Sequence, residues 1–158
     1  MQYYNEILRQ IDIVNAALQK LGKQDIFNNS DVVIDAMSCE FYLQLRFSKN
    51  TEKKEHPRLE IILSLSGVEV NVDRLNEVFE WSGENINEYK TEIEDFFIML
   101  LTSRIIAEYY GKNYTKISFF DTEGNCVQTA KTVSGFYSKT KKRYKTLEYN
   151  PFYEMFRF

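Results

Sequence analysis

Residues 39–47 read CEFYLQLRF, and residues 59–73 read LEIILSLSGVEVNVD. In the first stretch Cys39, Phe41, Leu43, Leu45 and Phe47 alternate with Glu40, Tyr42, Gln44 and Arg46. A period of two puts the apolar set on one face of a strand and the polar set on the other. In the second stretch Leu59, Ile61, Leu63 and Leu65 alternate with Glu60, Ile62 and Ser64; beyond Gly67, Val68, Val70 and Val72 alternate with Glu69 and Asn71. Three successive strands with one apolar face predict an antiparallel meander covered on one side.

Upstream, Ile7, Leu8, Ile11, Val14, Leu18 and Leu21 recur in steps of three and four. That spacing predicts an amphipathic helix stopped by Gly22. Lys23 to Asp35 and the polar run Lys49 to Pro57 read as loops. Downstream, Asp73 is placed to cap a short helix through Trp81, and Ser82-Gly83 interrupts it. A long helix is predicted from Asn85 to Tyr110 around the apolar FFIMLL, ending at Gly111. TKISFF and CVQTA then flank DTEGN, a hairpin in which Gly124 supplies the positive φ. Residues 135–158 are basic and aromatic and read as an edge strand or tail. Strands come in groups, so the class is α+β. The expected architecture is an antiparallel β-meander plus a C-terminal β-hairpin, packed against an N-terminal helix and a long central helix. One domain is expected over residues 1–158.

With 44 % apolar and 27 % charged residues, the composition is globular, not fibrous or disordered. The longest apolar run is six residues, too short for a bilayer. The N-terminal MQYYNEILRQIDIVNAAL has no basic leader, so a cytoplasmic protein is expected. Cys39 and Cys126 fall in predicted strands and read as buried free thiols, and His56 as a solvated loop residue. Two cysteines and one histidine make neither a zinc set nor a nucleophile–base pair. The glycine of DTEGN stands at the fourth position, where a calcium loop needs it at about the sixth. No glycine-rich phosphate loop occurs. No catalytic, cofactor-binding or metal-ligating residue emerges, and the chain reads as a binding protein, not an enzyme.

The net charge of −3 hides two opposed segments. Residues 1–111 hold 11 Lys/Arg against 19 Asp/Glu; residues 112–158 hold 9 against 4. The acid is densest at Glu77, Glu80, Glu84, Glu88, Glu92, Glu94 and Asp95, with Lys90 alone among them. Across two helices stacked end to end, the spacing of Glu77, Glu80, Glu84, Glu88 and Glu92 predicts an exposed ridge beside Trp81 and Tyr89. Like charges at i, i+4 repel, so their retention points to a field that steers a basic partner. The basic counterpart, Lys139, Lys141, Lys142, Arg143 and Lys145, is interleaved with Tyr137, Tyr144, Tyr149 and Phe152. Such residues suit nucleic acid, but a pI near 5.3 argues against it. A lysine-protected edge strand, or pairing with the acidic ridge, accounts for them as well.

A small acidic α+β domain with a carboxylate-rich face and nearby aromatics resembles the bacterial immunity proteins that neutralise polymorphic or contact-dependent toxins. The resemblance implies a basic protein partner such as a toxin nuclease domain, and no cofactor. It implies that Glu80, Glu84 and Glu88 contact basic toxin residues, that Glu77 and Glu92 extend the surface, and that Trp81 and Tyr89 are packed anchors. The same features suit an acidic mimic of nucleic acid. The order helix, three strands, helix, two strands, over residues 2–133, is also similar to the small dimeric chaperones of type III secretion, which hold an extended effector segment.

Overall fold

The computed structural model describes residues 2–48, 56–82, 85–111, 113–133, 143 and 145–154. It is an α+β fold with two antiparallel sheets and two helices. Helix α1 (Asn5–Lys20) forms as its spacing predicts, burying Ile7, Gln10, Ile11, Ile13, Val14, Ala17 and Leu18. Gly22 follows with φ +71°, a conformation glycine adopts without steric cost.

The first sheet has five strands in chain order: β1 (Val32–Ile34), β2 (Tyr42–Phe47), β3 (Leu59–Ser64), β4 (Gly67–Val72) and β5 (Leu75–Phe79). The predicted meander is therefore present, with an extra strand on each side. Leu43, Leu45, Ile61, Leu63, Val68, Val70 and Val72 are buried on its inner face, where α1 packs over β3. Phe41 departs from the expected inner set and is 51 % exposed, because the strand begins one residue later and Cys39–Tyr42 closes an isolated bridge. Strand β1 lies inside the stretch read as a loop.

The short helix expected from Asp73 to Trp81 is absent. Val72 pairs with Leu75, so Asp73 and Arg74 form a two-residue hairpin turn leading into β5. Asp73 takes φ +53°, which aspartate tolerates better than most residues. Gly67 is obligatory for a different reason. A Cβ there would sit within the contact surface of the Phe79 carbonyl oxygen on β5.

The long helix from Asn85 to Tyr110 is also corrected. Only α2 (Lys90–Thr102) is helical, and Ser103 turns extended, with φ −86° and ψ 144°. Next comes β6 (Arg104–Tyr110), whose Ile105, Ile106, Tyr109 and Tyr110 are β-branched or aromatic. Gly111, read as a helix stop, lies instead in the turn to β7 (Tyr114–Phe120), at φ +67°. The DTEGN hairpin to β8 (Cys126–Val133) forms as expected, with Gly124 at φ +84° and Asp121 Oδ1 accepting from the Glu123 and Asn125 amides. Strand β9 (Lys145–Tyr149) comes from the basic segment and pairs with β6, giving the order β8-β7-β6-β9. The observed element order differs from the one that carried the chaperone likeness.

Tyr109 joins the two sheets. Its hydroxyl donates to Asp73 Oδ2 in the β4–β5 turn, and the Arg74 guanidinium lies 4.8 Å from its ring centroid. Burial, then the bond to Asp73, pushes the phenol well above its ordinary pKa. No helix among the described residues is long and apolar enough to cross a membrane.

Candidate protein-docking surface

Register places Leu75, Glu77 and Phe79 opposite Val72, Val70 and Val68, on the same side of the sheet as the core. At the end of β5 the Phe79 ring stacks on Trp81, with centroids 4.1 Å apart and planes 7° from parallel. Phe96 of α2 meets both edge-on, at 5.0 and 5.6 Å. All three rings are half-buried. Such contacts are worth about 0.5–1.5 kcal/mol each beyond the area they bury.

Two amides fix the chain between these rings and α2. Gln10, buried in α1, donates through Nε2 to the carbonyls of Trp81 and Ser64, both at 2.9 Å, and of Gly67 at 3.3 Å. Asn85 Nδ2 donates to the Glu80 carbonyl at 2.8 Å. Trp81 is thus a packed, tethered ring with part of its surface open.

Glu77 and Glu80 bracket Phe79 on the β5 side, while Glu92 and Asp95 lie within one helical turn of Phe96 on the α2 side. Glu88 sits in the turn that enters α2. All five are exposed, and none takes part in an ion pair among the described residues. Tyr89, at the N-cap of α2, is 42 % exposed and makes no ring contact among the described residues. Glu84 lies outside the described residues. Glu94 turns inward, where Lys20 of α1 meets it at 3.3 Å.

The structure does not set these carboxylates along a helical ridge but spreads them over three elements. Glu77 is on a strand, Glu88 in a turn and Glu92 in the first turn of α2. The i, i+4 spacing reflected no common helix. Phe79 and Phe96, which complete the ring platform, were not singled out for it. Residues 75–79 offered no clean period of two, since charged Glu77 shares the face of Leu75 and Phe79 while Val78 lies on the other.

The basic segment does not answer the acidic surface among the described residues. Arg143 Nη1 meets Glu108 at 3.0 Å, on the outer face of the second sheet, and Lys145 lies 5.8 Å from the Tyr109 ring. Lys139, Lys141, Lys142, Tyr137 and Tyr144 lie outside the described residues. Tyr149 and Phe152 are buried, Phe152 edge-on to Phe47 at 5.8 Å, so these two aromatics serve the core. Cys126, expected buried, is exposed, and Cys39 is half-buried. His56 is half-buried against Phe152 at 5.9 Å rather than solvated. Among the described residues no three His, Cys, Asp or Glu side chains are grouped to hold a metal ion. Compared with family models, curated proteins and solved structures, the chain matches none.

Proposed function

We propose that this chain is a non-catalytic binding module that docks a basic protein, of the kind an immunity protein neutralises when it blocks a toxin nuclease in the cytoplasm. The supporting observation is that Glu77, Glu80, Glu88, Glu92 and Asp95, on the segments that carry the half-buried rings of Phe79, Trp81 and Phe96, are exposed and form no ion pair among the described residues. Carboxylates without internal counter-ions project a field that speeds the approach of a basic surface. Rings already packed and tethered lose little freedom on contact, which lowers the entropy cost of association. A partner arginine or lysine laid against Trp81 gains from both.

Calorimetry with the toxin domain encoded beside this chain tests the proposal. The expected result is a one-to-one complex. Its affinity falls with salt, and by roughly a hundredfold, near 2.7 kcal/mol, in the combined variant Glu80→Lys, Glu88→Lys, Glu92→Lys. All three side chains are exposed, so the variant should keep the wild-type circular dichroism. Undiminished affinity in a folded variant overturns the proposal.

A further inference from the structure

Each sheet has two edge strands, and three of the four edges are blunted. Strand β1 has three residues; β5 carries an inward-side charge, Glu77; β9 has five residues bearing Lys145 and Glu148. Short length and charges of this kind are how natural sheets discourage pairing with another chain. Strand β8 also carries a lysine, Lys131, but is the longest of the four edge strands. It runs for eight residues, CVQTAKTV, without proline or glycine, and among the described residues its only ladder is the one with β7. Only Ala130 and Thr132 are even half-buried, and Val127 and Val133 are 47 % and 48 % exposed. Strand β5 passes near it but shares no ladder with it.

The charge along this edge is incomplete. On the outer face, register sets Lys131 of β8 directly opposite Lys116 of β7, and Lys116 opposite Glu108 of β6. Lys116 meets Glu108 at 3.9 Å; Lys131 forms no ion pair among the described residues. Like charges directly opposite are unfavourable in an antiparallel pair. A carboxylate on a strand added beyond β8 would give Lys131 the partner it lacks. A second copy of this chain would not. Its own β8 carries no acid, and antiparallel self-pairing would add a further lysine instead.

We infer that β8 is a second interaction surface, taking an extended segment of another protein by strand addition, with a carboxylate set against Lys131. Backbone hydrogen bonds along the open edge supply affinity, and the charge sets register. The proposed contacts involve none of the carboxylates of the acidic surface.

The test is amide hydrogen exchange on the full chain titrated with the peptide Ac-TVTEVTV-NH2. Exchange across residues 126–133 is expected to slow at least roughly tenfold at saturation. The peptide with lysine in place of its glutamate should bind about tenfold more weakly to the wild type. It should bind better than the parent peptide to the Lys131→Glu variant. Unchanged exchange with the parent peptide, or equal binding of both peptides to the wild type, overturns the inference. So does self-association of the free chain through residues 126–133, seen as concentration-dependent protection of that strand.

Discussion

In the five-stranded sheet, Leu43, Leu45, Ile61, Leu63, Val68, Val70 and Val72 lie at 2 % exposure or less, beneath the helical layer. In the four-stranded sheet, burial runs through Ile105, Ala107, Ile117 and Phe119 and then stops one strand short of the edge, since β8 buries no side chain fully. Both sheets contribute to one core, but β8 at the edge of the second buries no side chain fully. Fold stability is concentrated where strands and helices share a core, and surface free for partners is left at the margins. The acidic ring platform lies at the β5 margin of the first sheet, and the open edge at the β8 margin of the second.

The largest expected effect is in the covered sheet. Leu63→Ala should cost about 2–5 kcal/mol in urea unfolding, the range for emptying a leucine site in a close-packed core. Gly67→Ala should cost about 1–3 kcal/mol, because the new Cβ drives against the Phe79 carbonyl rather than a flexible side chain. A wild-type midpoint for either would break the claim that this sheet carries the stability.

The bond between the sheets gives a smaller effect with a sign. Tyr109→Phe should cost about 1–2 kcal/mol near neutral pH by removing the donor to Asp73. The Tyr109 phenol is held above its ordinary value, so above about pH 10 the unfolded chain sheds a proton that the folded chain keeps. Stability is therefore full below that pH and falls as pH rises beyond it, less steeply in the phenylalanine variant. Equal slopes would remove Tyr109 as the link. The smallest effect is expected at the open edge, where Thr129→Ala should change stability by less than about 0.5 kcal/mol. A loss above 2 kcal/mol would show that β8 supports the fold after all.

These contrasts also mark what was legible in the residues. Strands β2, β3 and β4 stood out because one face is apolar and the other polar. The DTEGN hairpin stood out because glycine occupies its positive-φ position. Strand β5 was hidden by Asp73, since the same short carboxylate that tolerates a left-handed turn also caps helices. The end of α2 was hidden because FFIMLL is apolar all round and β6 carries apolar residues on both faces, Ile105 beside Ile106 and Tyr109 beside Tyr110. Neither stretch offers a period to separate helix from strand. The carboxylates were assigned to one helical face, which the structure does not form, because spacing along a chain fixes a common face only within one element. The ring platform depends on contacts between β5 and α2, and no local pattern encodes those.

Trp81 is the only tryptophan, so its fluorescence reports on the proposed docking surface directly. The decisive measurement is Trp81 emission during titration with a basic nuclease toxin domain whose own tryptophans are replaced by phenylalanine, at rising salt. The expected result is a saturable change in emission whose midpoint moves to higher concentration as salt increases, and which the Glu80→Lys, Glu88→Lys, Glu92→Lys variant loses. A tight complex that leaves Trp81 emission unchanged, or whose midpoint ignores both salt and charge reversal, would contradict it.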